Sequence, residues 1–145
     1  MEPLDLRLGP PRGPRVELAG IAFTARAVDK LRASLPGGNL HEYFPFVGVS
    51  AGWAHYTGID LNELRDVIAA AGSETEVETW ILERTAHLDK AIINAKLHRI
   101  NSLKMPDDLR VVFERTYSAD IRERYTNIFE LLELDDVRFY TTSER

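Results

Sequence analysis

Apolar residues recur at helical spacing over most of the chain. In residues 16–35, Leu18, Ile21, Ala22, Ala25, Val28, Leu31 and Leu35 fall three or four apart and predict one helix from about Val16 to Leu35. Pro36-Gly37-Gly38 ends it. Residues 39–49 lack that period and read as a loop. Pro45, inside the apolar run Phe44-Pro45-Phe46-Val47, argues against a central strand. Ser50 to Thr57 reads as a short helix stopped by Gly58. Asp60 with Glu63, and Ser73 with Glu76, have the spacing of capping boxes. Each precedes an apolar face: Leu61, Leu64, Val67 and Ile68, then Val77, Trp80 and Ile81. Leu88, Ile92, Ile93, Leu97, Ile100 and Leu103 predict a further helix that ends before Pro106. Asp107 and Asp108 suit the positive end of one over about 107–117. Ile121, Tyr125, Ile128, Phe129 and Leu132 mark the last one or two. Val137 to Tyr140 is expected to be extended at most.

Residues 1–15 break the pattern. Pro10, Pro11 and Pro14 remove backbone donors and favour extended chain. The expectation is a mostly α, compact single-domain bundle of five to seven helices over 16–145. An extended Pro/Arg-rich N-terminal arm precedes it over 1–15; it either lies on the domain, with the alternating Leu4, Leu6 and Leu8 available to dock it, or stays mobile. A length of 145 residues suits one domain with a real core.

Composition narrows the function classes. The absence of cysteine excludes disulfides and thiolate metal sites. The N-terminus lacks the apolar run of a secretory signal, and no apolar run approaches a membrane span. A soluble, cytoplasmic protein without a membrane partner is therefore expected. The net charge is −5, and the first 50 residues hold six basic and five acidic groups, so the acidic excess lies beyond them. An acidic body repels phosphate backbones, and no nucleic-acid partner is expected.

On a helical wheel over 16–35, Arg32 falls near the centre of the apolar stripe and Asp29 beside it, with Arg26 and Lys30 on the far side. Asp29 and Arg32 are three apart and can pair on one helix. Two readings follow. The pair is a structural tie, or Arg32 snorkels; alternatively the pair lines a cavity for a small polar or anionic ligand. His41 and His55 flank an aromatic stretch holding Tyr43, Phe44, Phe46 and Trp53. Asp29, His41 and His55 are the candidate acid–base residues, and Arg32, Arg26, Glu42, Tyr43 and Trp53 the candidate ligand-binding ones, provided that they converge. The same aromatic density also describes ordinary core.

Other features carry less. His87 and His98, eleven apart on a continuous helix, are too distant for one metal. Asp135 and Asp136, with Glu130 or Glu133, have the oxygens for a divalent cation, although acids at a helix end are usually solvated. Carboxylates at a helix C-terminus need compensation, for which an arginine of the arm is one candidate. Lys90, Lys96, Arg99 and Lys104 form a basic patch expected to face solvent. No nucleophile elbow, Walker pattern or dinucleotide fingerprint is expected, and no metal or cofactor.

Three stretches resemble a known family: "PPRGPRVELAG" from residue 10, the run Gly20 to Lys30 followed by Leu31-Arg32-Ala33, and "NIFELLELDD" over 127–136. They are similar to the bacterial family known as domain of unknown function 5069. Its members often carry Arg-x-x-Asp-Lys-x-Arg in this helix, an acidic and aromatic run after a glycine break, and Leu-Leu-x-Leu-Asp-Asp near the end. The resemblance implies a compact soluble domain and supplies no activity. It singles out Arg26, Asp29, Lys30, Arg32, Glu42, Tyr43, Asp135 and Asp136. The expected function is small-molecule binding, or acid–base catalysis on such a molecule, in a pocket between the first helix and the 39–56 segment. The alternative is a non-catalytic helical module for protein interaction or self-association, with Phe44-Pro45-Phe46-Val47 as its sticky element and an oligomeric state left open.

Overall fold

The computed structural model describes residues 1–101 and 107–141. Those residues form eight helices against the expected five to seven: α1 (Thr24–Ala33), α2 (Val49–Thr57), α3 (Leu61–Ala70), α4 (Glu74–Arg84), α5 (Lys90–His98), α6 (Asp107–Thr116), α7 (Ala119–Arg124) and α8 (Ile128–Thr141). Among the described residues there are isolated bridges and no extended sheet. None of the helices is long and apolar enough to cross a membrane.

The local start signals at α3 and α4 work largely as their chemistry requires. Asp60 caps α3 by accepting from the Glu63 N–H at 2.9 Å, and Ser73 caps α4 by accepting from the Glu76 N–H at 3.4 Å. The reach-back of each glutamate differs. Glu76 accepts from Gly72 N–H at 2.9 Å, one residue early, whereas Glu63 pairs with Arg84.

The first helix is shorter than its periodicity predicts. Leu18 and Ile21 exchange two backbone hydrogen bonds of 3.1 and 3.2 Å around Ala19 (φ 56°) and Gly20 (φ 74°). This two-residue turn needs positive φ at both central positions. Phe23 is also left-handed (φ 67°), and its N–H donates to Pro14 at 2.8 Å, so the helix begins only at Thr24. The apolar period continues through the turn because Leu18, Ile21, Ala22 and Phe23 all enter the core.

Helix α1 then runs through the middle of the molecule. Nine of its ten residues are buried, Arg26 and Lys30 among them. The wheel assigns those two to a solvated side that does not exist, because α1 is covered all round. Only Arg32 is half-buried, the reverse of its expected place at the stripe's centre. The core around α1 includes Leu64 and Ile68 of α3, Ile81 of α4, Leu97 of α5, and Phe129 and Leu131 of α8. The break after α1 brings the chain back tightly: a Cβ at Gly38 would sit 2.5 Å from the Ala33 carbonyl oxygen.

The arm lies on the domain. Leu6 N–H donates to Asn39 O at 2.9 Å, Asn39 N–H to Leu4 O at 3.0 Å, and the Tyr140 hydroxyl to Leu6 O at 2.5 Å. Leu6 packs with Ala33 and Tyr43, and Leu4 supports them, while Leu8 is exposed. Val137 to Tyr140, expected to be extended, is the last part of α8. Phe139 and Tyr140 pack on the Leu6 and Tyr43 cluster, and that packing gives the helix a reason to continue. Helix α5 ends at His98; the predicted member Leu103 and the expected terminator Pro106 lie outside the described residues, as does Lys104 of the basic patch.

Candidate functional site

Arg26 and Lys30 are four apart on α1 and so share a face. The Arg26 guanidinium, 1% exposed, grips the Asp136 carboxylate of α8 with bonds of 2.8 and 2.9 Å and donates to Arg12 O at 3.2 Å. The same carboxylate accepts from the Tyr43 hydroxyl at 2.8 Å. The Tyr43 ring lies 5.5 Å from the guanidinium carbon, so the tyrosine meets the ion pair with both its ring and its oxygen. Burial, and then the bond to Asp136, push the Tyr43 hydroxyl pKa up. Among the described residues, buried Arg26 Nε has no hydrogen-bond partner. The buried charge is thus paired, as its desolvation demands.

Lys30 sits one turn further on. Its Nζ donates to the Phe44 carbonyl at 3.1 Å, bonds the Ser50 hydroxyl, and lies 5.1 Å from the Phe23 ring centroid. Burial pushes its pKa down to about 7; Arg26 pushes the same way and Asp136 opposes.

Beside this core pair is an open groove of about 430 Å³, lined by His41, Glu42, Thr116, Tyr117, Asp135, Arg138 and Phe139. Asp135 is 9% exposed, and its carboxylate accepts from the Tyr117 hydroxyl at 2.5 Å. Burial raises the Asp135 carboxyl pKa, partly offset by the Tyr117 bond. Tyr117 is itself raised, by burial first and then by Asp135. His41 adopts φ 53°, held by its N–H on Asn39 Oδ1 at 2.8 Å. Its Nε2 lies 3.1 Å from Phe139 O. A carbonyl oxygen only accepts, so Nε2 carries the proton and Nδ1 is the acceptor of the neutral ring.

A second depression, of about 490 Å³, lies along the arm and is lined by residues including Arg12, Asp29, Arg32 and Glu74. Here the expected Asp29–Arg32 pair gives way to another. Asp29 accepts from Arg12 three times: backbone N–H at 2.8 Å, Nε at 3.1 Å and Nη2 at 3.0 Å. Arg12 also pairs with Glu74. Its guanidinium pKa is raised by these two carboxylates against its own burial. Arg32 Nε instead donates to Glu2 O at 3.0 Å.

The family model described as Domain of unknown function (DUF5069) matches residues 9–138. The chain belongs to that family. No curated protein matches it.

In this DUF5069 domain five of the eight residues singled out by resemblance meet in space, while Asp29 and Arg32 line the arm depression and Glu42 the α8 groove. Arg26, Tyr43 and Asp136 form one hydrogen-bonded group, with Lys30 beside it and Asp135 behind it on α8. The candidate acid–base set does not converge. Asp29 lines the arm depression, His41 the α8 groove, and His55 is exposed on α2, with its ring against Tyr56. Trp53 is core, fully buried, with its indole N–H on Thr24 Oγ1 at 2.9 Å. Asp135 and Asp136 stand within α8 rather than at its end, so the dipole penalty does not apply. Arg26 compensates Asp136; the arm contributes Arg15, which pairs with Glu133 at 3.2 Å. Among the described residues no group of three or more His, Asp or Glu gathers to hold a metal.

Sequence reasoning missed Arg12, Tyr117, Arg138 and Ser50. Arg12 lies inside the "PPRGPR" stretch, but nothing local ties it to Asp29. Gly48-Val49-Ser50-Ala51-Gly52 does have the spacing G-x-S-x-G, a signal overlooked in expecting no nucleophile elbow. The turn it makes runs from loop to helix, not from strand to helix.

Proposed function

We propose that the α8 groove binds a small polar molecule that carries a carboxylate together with an amino or hydroxyl group, and that His41 and Asp135 act there as proton acceptor and donor. The observation that carries this reading is the buried carboxyl of Asp135, tilted towards its protonated form, opening onto the same groove as a histidine and an arginine. A buried carboxyl with raised proton affinity, set in a cleft beside a second titratable side chain, is the usual mark of a functional site. Arg138 supplies the fork for a carboxylate. Glu42 and Asp135 accept from an ammonium or hydroxyl, and Phe139 offers an apolar edge. The site lies between the His41–Glu42 turn, the Thr116–Tyr117 end of α6, and α8.

Thermal-shift titration with α-amino acids and 2-hydroxy acids tests the reading. A saturable rise in melting temperature is expected for at least one class, lost in Asp135→Asn and in Arg138→Ala. A flat response to both classes in the wild-type chain contradicts it.

A second reading, self-association, is favoured by the exposed apolar side chains of Phe44, Phe46 and Val47. It expects a concentration-dependent sedimentation coefficient that Phe46→Ser abolishes. A monomer at all concentrations removes it.

A further inference from the structure

We propose that Ser50 and Lys30 form an acyl-transfer dyad, with Ser50 as nucleophile and Lys30 as its base, covered by residues 44–48 and acting on esters of apolar acyl groups. The site shares no residue with the α8 groove, and the two proposals stand or fall separately.

The geometry has four parts. First, the Lys30 amine contacts the Ser50 hydroxyl directly, and both side chains are buried. Hydrogen-bond contact between a hydroxyl and a base is the arrangement that makes serine nucleophilic. Second, in the covered state the amine donates to both the Phe44 carbonyl and the Ser50 hydroxyl, so release of the Phe44 bond and loss of a proton leave its lone pair free to accept from the Ser50 O–H. Third, Ser50 is the second residue of α2, a nine-residue helix without a side-chain cap. The N–H groups of that first turn have no intrahelical acceptor and are suited to a developing oxyanion. Fourth, the cover is slight. Phe44 is 70% and Val47 58% exposed, Pro45 is buried, and the segment ends at Gly48, whose φ of 67° and ψ of −132° suit glycine alone. Displacing this segment breaks the Phe44–Lys30 bond and opens the dyad beside the Phe44, Phe46 and Val47 side chains. Those apolar groups set the substrate class.

The proton affinity of Lys30 agrees with the role. Burial brings its pKa down to about 7, with Arg26 of α1 and Asp136 of α8 as the charged neighbours acting on it. A base near the working pH is the efficient one.

In the reaction Ser50 Oγ bonds to the acyl carbon as its proton passes to the Lys30 lone pair. The carbonyl π pair moves to oxygen and returns as the bond to the leaving alcohol breaks. That alkoxide leaves with the bonding pair and takes the proton from Lys30. Water repeats the sequence on acyl-Ser50, releasing the carboxylic acid and restoring the dyad.

The test is labelling of the full chain with an alkyl fluorophosphonate between about pH 6 and pH 9. Here a P–O bond forms at Ser50, fluoride leaves, and the proton goes to Lys30. A single adduct on Ser50 is expected by mass spectrometry, with a rate that climbs as Lys30 deprotonates. Ser50→Ala removes both the adduct and p-nitrophenyl butyrate hydrolysis. Lys30→Met slows labelling by about 100-fold or more, the loss of a general base. If Lys30→Met does not fold, Lys30→Arg, which keeps a cation and supplies no base, serves in its place with the same expectation. No Ser50 adduct in the folded wild-type chain overturns the proposal. So does labelling as fast in the folded lysine variant.

Discussion

Arg26 and Asp136 stand 110 residues apart in sequence and meet through two hydrogen bonds of 2.8 and 2.9 Å, with the arginine almost wholly buried. The pair joins α1 to α8 and holds Tyr43 against both. Removing one partner leaves a buried charge, and Asp136→Ala is expected to cost about 3–5 kcal/mol in urea denaturation. The double variant Arg26→Met, Asp136→Leu removes both charges and is expected to recover most of that loss. Tyr43→Phe, which takes one charged hydrogen bond, is expected to cost about 1.5–3 kcal/mol. Additive losses in the double variant would show that the two side chains do not act as a pair.

Lys30 sets a stability slope with pH. Its pKa is about 7 when folded and 10.5 when unperturbed, so between those values the unfolded chain holds the extra proton. Stability then rises with pH across that window. Tyr43, Tyr117 and Tyr140 have raised pKa values and act oppositely, but only as pH passes their ordinary value of 10.0. Unfolding free energies measured between about pH 7 and pH 9.5 should therefore climb, and Lys30→Met should flatten the climb. A wild-type slope that the variant retains would remove Lys30 as its cause.

Asp29 is a structural tie in this account. Its carboxylate is satisfied by Arg12, which fastens the arm to α1. Asp29→Asn is expected to lower stability by about 1–3 kcal/mol while leaving binding in the α8 groove unchanged. Arg12→Met should speed hydrogen exchange at Leu4 and Leu6, whose N–H groups bond Arg32 O and Asn39 O. Loss of groove binding in a folded Asp29→Asn chain would contradict this division of labour.

What the sequence made legible was local. Asp60 and Ser73 mark their helix starts because a cap bonds within three residues. The start of α1 stayed hidden because Leu18 and Ile21 keep the helical period while their backbones make a turn. The burial of Arg26 and Lys30 stayed hidden for a different reason. A wheel assumes one buried face, and the residues that cover the other face, Tyr43, Ser50 and Asp136, come from distant parts of the chain. The groove follows the same rule. His41 and Glu42 were visible as polar residues after a glycine break, but Tyr117 and Arg138 reach them only through the packing of α6–α8.

Asp135 carries the central claim, and its own stability effect can be separated from binding. Its folded pKa is raised above 3.8, so folding disfavours its ionised form relative to the unfolded chain, and the stability it contributes is present at low pH and lost as pH rises. Asp135→Asn should fold at neutral pH with stability equal to or above wild type. A melting temperature well below wild type at pH 7 would contradict that sign.

The most direct measurement is an amide NMR titration of the wild-type chain with glycine, L-serine and lactate, repeated on Asp135→Asn. The account predicts saturable shifts confined to the turn around His41 and Glu42, to Tyr117, and to Asp135 through Phe139, for at least one of these probes and absent in the variant. Shifts centred elsewhere, or none from any probe, would contradict it.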